Sequence, residues 1–264
     1  MNKTFYKKLL KILSNKPELI TNFPDWILSK KKIEKIKKEQ DVAISEIAGR
    51  DSFAAVIKAC ELRNFKAIVP TIAYTGTEFG NWEITLKKVE KLKATLKALG
   101  IKTYNPIILG APRLWKILCG RYSLQHYRKF KYYSPCLGCH TYLHAIRIPL
   151  AKILNCKVVI GGERELHDEQ IKINQINIAI ESYIKLFKKF DLELFLPIRY
   201  ISSGNEIERI LGYKWGEGKE QLECVLSGNY RESDGSVIIN RRAIKRYFNE
   251  FALNIAENFI REHI

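Results

Sequence analysis

Three groups of residues in this sequence have the types and spacing that chemistry requires. The first is Cys136 and Cys139 in "SPCLGCH", a CxxC spacing that lets two thiolates reach one metal. No second CxxC completes a four-thiolate zinc site, but Cys224 in "LECVLSGN" supplies a third thiol far downstream. The second group is the turn Ala48-Gly49-Arg50-Asp51-Ser52. Its small residues let backbone N–H groups approach a ligand, and the helix that follows turns its unpaired N–H groups toward anions such as phosphate. The third follows "KVVI": Gly161-Gly162, then Glu163, Arg164, Glu165, His167 and Asp168. Each group has a plainer reading. CxxC also serves as a dithiol or as two core residues, Asp51 or Ser52 can simply cap a helix, and the third group can be a charged loop with Asp168 as an N-cap.

The elements that must position these groups are legible as alternation. "DVAISEI" reads as a strand before a helix, "KAIVPTIAY" as a strand before the helix of residues 81–100, "KTYNPIIL" as a strand, and "KVVIGG" as a strand before a long helix beginning near Asp168. Such alternation predicts an α/β fold, a parallel sheet with helices on both faces. Its crevice lies beyond the carboxyl ends of the strands, where the loop of Gly49 to Ser52 and the loop of Gly161 to Asp168 would meet. In the first helix Phe53, Val56, Ile57 and Cys60 share a core face, as do Val89, Leu92, Leu96 and Leu99 in the next, which Gly100 terminates. Ser203 and Glu206 have capping-box spacing and mark a helix start. Residues 1–40 read as a basic helical N-terminal extension, 41–229 as the catalytic domain and 230–264 as a C-terminal helical tail.

The run Ile47-Ala48-Gly49-Arg50-Asp51-Ser52 resembles the pyrophosphate loop of the PP-loop ATPases, Ser-Gly-Gly-x-Asp-Ser after the first strand. Gly49, Asp51 and Ser52 match, while Ile47 and Ala48 replace the leading Ser and the first Gly. With a CxxC and one distant Cys, the chain is most similar to the iron-sulfur-cluster-dependent tRNA thiolation enzymes, over roughly residues 41–229. The resemblance implies that Cys136, Cys139 and Cys224 hold a 4Fe-4S cluster with one iron open. It further implies ATP and Mg2+ bound by Ala48, Gly49, Arg50, Asp51, Ser52, Gly161, Gly162, Glu163 and Asp168, with Arg50, Asp51 and Ser52 catalytic and a Mg-ATP role for Glu163 or Asp168. The implied activity is an ATP-dependent sulfurtransferase that adenylates a nucleobase carbonyl, in tRNA or another RNA, and replaces its oxygen with sulfur from a small-molecule donor. A PP-loop ligase or amidotransferase with zinc or no metal, and a non-catalytic nucleotide- or RNA-binding domain, are the alternatives.

Of the remaining cysteines, Cys60 and Cys156 read as packing residues; Cys119 does too, with a fourth ligand or a catalytic thiol as the other reading. An open iron requires that no fourth Cys close the shell around the other three. His140 and His144, one helical turn apart, would supply a ligand, a proton or support for the site. The formal charge of +17, from 45 Lys and Arg against 28 Asp and Glu, suits a polyanionic partner. Tyrosines interleaved with basic residues in "GRYSLQHYRKFKYYSPC" suit stacking on unpaired bases, and equally an amphipathic surface loop. No stretch is long and apolar enough to span a membrane, so a cytoplasmic protein without a membrane partner is expected, and a homodimer is compatible with the sequence.

Overall fold

The computed structural model describes residues 3–216 and 221–264. Its centre is a six-stranded sheet of β1 (Val42–Glu46), β2 (Ala67–Ala73), β4 (Lys102–Thr103), β5 (Ile107–Leu109), β6 (Val158–Ile160) and β7 (Glu193–Phe195), ordered β4-β2-β1-β6-β7 with β5 also on β2. Every pairing in it is parallel. β1 is buried at all five positions, as a central strand covered on both faces must be. The expected α/β fold is therefore present, with helices flanking a parallel sheet.

The segment "KTYNPIIL" forms two short strands instead of one. β4 pairs Ala67 and Ile68, β5 pairs Thr71 to Ala73, and the gap between them falls opposite Pro70, which has no N–H to donate to a ladder. The helix Trp82–Ala98 buries Val89, Leu92 and Leu96, but Leu99 lies beyond its end and is exposed. Gly100, at φ +74°, takes the left-handed turn that stops it. The long helix expected near Asp168 begins only at Asn177, after a loop and the short 3-10 turn Ile173–Gln175.

The basic opening is built into the molecule: Leu9, Leu19, Ile27 and Ile36 join the same apolar core as Ile44 and Val69. So do Ile244, Phe248 and Ile260 of the closing helices. A second, two-stranded antiparallel sheet pairs β3 (Glu78–Phe79) with β8 (Glu223–Cys224), tying the far end of the chain to the crevice end of β2.

Candidate functional site

β1 ends at Glu46 and the chain turns through Ala48-Gly49 into the helix Arg50–Leu62. The turn is held by Ser52, whose hydroxyl accepts from Ala48 N–H at 2.9 Å and donates to the Gly49 carbonyl at 2.7 Å. Gln221 covers it: its side-chain oxygen accepts the Arg50 N–H at 3.3 Å, and a Cβ on Gly49 would meet that oxygen at 2.4 Å. A hydrogen-bond acceptor therefore occupies the helix N-terminus where an anionic oxygen would sit.

Asp51 does not face this position alone. Its carboxylate accepts from Arg50 Nε at 3.1 Å and from Arg164 Nε at 3.0 Å. Arg164, 1% exposed, also donates to the carbonyls of Ile201 and Ser202 at 3.1 Å, so it ties the loop after β6 both to the helix start at Asp51 and to the segment that precedes the helix Gly204–Leu211. Burial acts to raise the Asp51 pKa, but Arg164, Lys172 and Arg50 outweigh it and hold the carboxyl below its ordinary range. Around these groups is a cavity of about 310 Å³, whose walls include Ala48, Gly49, Arg50, Asp51, Ser52, Gly162, Glu163 and Lys172.

A second cavity, of about 460 Å³, has Cys136, Cys139 and Cys224 on its walls. The CxxC opens the helix Pro135–Ala145, and β8 delivers Cys224 through its pairing with Glu78. Cys224 Sγ lies 3.2 Å from Thr77 Oγ1 and accepts the Leu226 N–H at 3.4 Å, while Cys136 Sγ reaches Asn229 Oδ1 at 3.6 Å in the same segment. One further cysteine lies near these three. Cys119, buried in the π-helical stretch Ile117–Arg121, is close enough to Cys139 for the two thiols to influence each other, and it does not line the cavity. Cys119 first, with His140 and Trp115, holds the Cys139 thiol below its ordinary pKa despite burial. The Cys136 thiol is instead pushed up to about 12, by burial first and by the neighbouring Cys139 and Cys224.

The two cavities adjoin. Glu46, Ala48, Gly49, His140, Lys172 and Gln221 line both. Behind the shared His140 stands Glu163, 2% exposed and on the wall of the loop cavity, whose Oε1 lies 2.9 Å from His140 Nδ1 and 2.9 Å from His144 Nε2. Burial opposes a charged His140, but Glu163 overcomes it and raises the imidazole pKa to about 9.

The structure thus brings Ala48, Gly49, Arg50, Asp51, Ser52, Gly162 and Glu163 to one cavity and the three cysteines to the next. Gly161 packs beneath Leu196 and bonds Phe195 in the sheet. Asp168 is held elsewhere: both its carboxylate oxygens accept the Gly204 N–H, so it caps the helix Gly204–Leu211 in place of Ser203, whose hydroxyl makes no cap bond. Cys60 is half-buried but packs against the core, and Cys156 is buried as expected. Sequence reading missed Glu46, Arg147, Lys172 and Gln221. Two of them had a signal: Glu46 ends an otherwise small and apolar strand, and Arg147 is a lone cation in the apolar run "AIRIPL". Arg147 is 1% exposed, donates to Thr71 Oγ1 at 2.9 Å and lies 3.5 Å from Glu46.

Comparison with known proteins places the chain among relatives. Uncharacterized protein MJ0009 of Methanocaldococcus jannaschii is 40% identical over 232 residues, 85% of this chain and 82% of that protein. The chain belongs to the MJ0009 family. No model of a described protein family matches it. Among solved structures, this family member is similar to the U34-tRNA thiolase NcsA of Methanococcus maripaludis with its [4Fe-4S] cluster, at 14% identity and a TM-score of 0.38, over 89% of this chain and 78% of that one. It is also similar to a predicted subunit of tRNA methyltransferase from Methanocaldococcus jannaschii, at 16% identity and a TM-score of 0.35, over 71% of this chain and 97% of that one.

Proposed function

We propose that this protein is an ATP-dependent sulfurtransferase that adenylates a nucleobase carbonyl, in tRNA, and exchanges its oxygen for sulfur. The observation that carries the reading is the shared wall: a cavity built on a pyrophosphate-type loop opens beside one lined by three cysteines. Activation and sulfur delivery must occur within reacting distance of each other, and adjoining cavities meet that need.

ATP would place its phosphates against the N–H groups of Gly49 to Ser52, displacing the Gln221 side chain, with Arg50 and Lys172 countering their charge. Mg2+ enters with ATP, and Glu46 and Asp51 are carboxylates on that wall. The nucleobase oxygen attacks the α-phosphorus, forming one P–O bond as the bond to pyrophosphate breaks. Pyrophosphate is stabilised by the helix N-terminus and the cations around it. AMP is then the leaving group from the activated carbon, and the incoming sulfur takes its place.

Cys136, Cys139 and Cys224 would hold the 4Fe-4S cluster. The donor set suits such a group: the three thiols share one cavity wall, and Cys136 and Cys224 both bond the backbone of Leu226. A cluster bound at three corners supplies an open iron to which sulfur can bind. Cys119, beside Cys139, would support that ligand. For the RNA, a surface groove lined by Arg113, Lys116 and Arg121 runs along the stretch that carries Cys119, and Tyr127 is exposed on the next helix.

The test is anaerobic purification followed by an absorption spectrum, iron analysis and an assay for tRNA-dependent pyrophosphate release from ATP. Iron and sulfide near four per chain, lost in C136S, C139S and C224S, would support the reading. Pyrophosphate release that responds to a small molecule and not to tRNA would move it to a PP-loop ligase.

A further inference from the structure

We infer that His140, His144 and Glu163 form a site for one divalent transition-metal ion, separate from the cysteines. Among the described residues they are the group of three His, Cys, Asp or Glu whose potential ligand atoms all lie within 4.8 Å of one another. Their convergence comes from two elements. Positions 140 and 144 stand one turn apart on the helix Pro135–Ala145, which puts both rings on one face, and the loop after β6 brings Glu163 against that face. His140 Nδ1 and His144 Nε2 both point at Glu163 Oε1, each at 2.9 Å.

The other carboxylate oxygen supplies an independent sign. Glu163 Oε2 is buried in a residue 2% exposed and has no hydrogen-bond partner. A charged oxygen left unpaired in the interior costs several times what an ordinary hydrogen bond contributes, unless a cation completes its shell. Two imidazoles and a carboxylate are the donor set of open zinc and iron sites, in which a fourth position stays free for water or substrate. Here His140 and Glu163 face the loop cavity, which gives the ion a route in and leaves it an accessible side.

The surroundings hold the ligands in place. Asn174 Nδ2 lies 2.7 Å from His140 Nε2; a metal on Nδ1 leaves the proton on Nε2, so on loading the Asn174 amide turns over to accept it through Oδ1 and orient the ring. The His144 ring packs 4.6 Å from that of Tyr183 and 6.1 Å from that of Phe187. A metal with bonds of about 2.0 to 2.2 Å would spread the nitrogen–oxygen separations to about 3.3 Å, so the site opens by a few tenths of an ångström on loading. The protons now shared between the imidazoles and Glu163 leave as the metal enters.

The test uses the full chain, stripped with a chelator under anaerobic conditions and titrated with Co2+ alone. The expected result is one equivalent of cobalt with ligand-field bands in the visible and no sulfur-to-cobalt charge-transfer band. E163Q, which keeps the side chain's shape, should weaken binding at least about tenfold, and C136S/C139S/C224S should leave it unchanged. Because His144 is 1% exposed, H144Q is read only alongside its unfolding midpoint, and the Co2+-induced rise of the wild-type midpoint serves as a second readout. Absence of ligand-field bands in the folded wild type, a strong charge-transfer band, or binding that survives E163Q and vanishes in the cysteine variant would each overturn the assignment. Loss of tRNA-dependent turnover plays no part in these outcomes, so the site stands or falls apart from the sulfurtransferase reading.

Discussion

Gly162 lies so close to the start of the helix Arg50–Leu62 that a Cβ there would stand 2.7 Å from both the nitrogen and the Cα of Ser52. Backbone meets backbone at this point, so no side chain can rotate away. Gly162→Ala should therefore push the two loops apart, costing about 1 to 3 kcal/mol as overpacking does. ATP-dependent pyrophosphate release should fall further than that cost explains, because the loop cavity is built from both partners. Denaturant unfolding and turnover measured side by side check this, and an unchanged turnover would separate the loop after β6 from the site.

Ser52→Ala removes a hydroxyl that bonds the loop on both sides, to Ala48 N–H and the Gly49 carbonyl. Two hydrogen bonds at about 0.5 to 1.5 kcal/mol each set the expected loss of stability. Binding of ATP should weaken as the loop loses its shape, read as a higher ATP concentration for half-maximal pyrophosphate release. Asp51→Asn should affect stability differently from Arg164→Met. The aspartate variant leaves Arg164 with its two carbonyl partners, whereas the arginine variant leaves the Asp51 carboxylate without this cation and both carbonyls without a donor, and should cost about 3 to 5 kcal/mol in urea unfolding.

His167 gives the fold a pH dependence with a definite sign. Its Nε2 donates to Gln175 Oε1 at 2.6 Å while Nδ1 has no hydrogen-bond partner, the pattern of a neutral ring. Burial first, then Lys172 and Arg164, lower its pKa from 6.5 to about 4, against the pull of Asp51. Between these values the unfolded chain binds a proton that the folded chain refuses, so stability is full above pH 6.5 and declines as pH falls toward 4. Urea unfolding across that window should show the decline, and His167→Gln should flatten it.

A tRNA partner should bind through counterion release, so the logarithm of affinity should fall linearly with that of salt. Deleting the basic opening is a poor test, because Leu9, Leu19, Ile27 and Ile36 belong to the core and their loss would unfold the chain. Charge removal at the exposed Lys7, Lys11 and Lys35 leaves the packing in place. If these lysines neutralise phosphates, the slope should drop by about 0.7 to 0.9 for each lysine replaced. An unchanged slope would direct attention to the groove of Arg113, Lys116 and Arg121.

What the sequence by itself determined was local. The apolar run Val42 to Ile44, the Ala-Gly turn and the helical spacing of Phe53, Val56 and Ile57 fix a strand, a tight turn and a helix from neighbouring residues alone, and repetition of that pattern fixes a parallel sheet. The spacing of Cys136 and Cys139 was equally readable, since both lie in one turn of one helix. Tertiary structure decided everything that depends on distant segments meeting. The pairing of Glu78 with Cys224 carries the third cysteine to the CxxC, and no local pattern in "LECVLSGN" records that pairing. Packing of the π-helical stretch against Gly138, where a Cβ would meet the Leu118 carbonyl at 2.4 Å, sets Cys119 behind Cys139. By sequence Asp168 reads as a cap for the helix that follows it, but the fold brings the distant Gly204 N–H to its carboxylate instead. The physical reason is common to all three. Periodicity and turn chemistry act between residues a few positions apart, whereas a site is completed by partners that the chain supplies from far along its length.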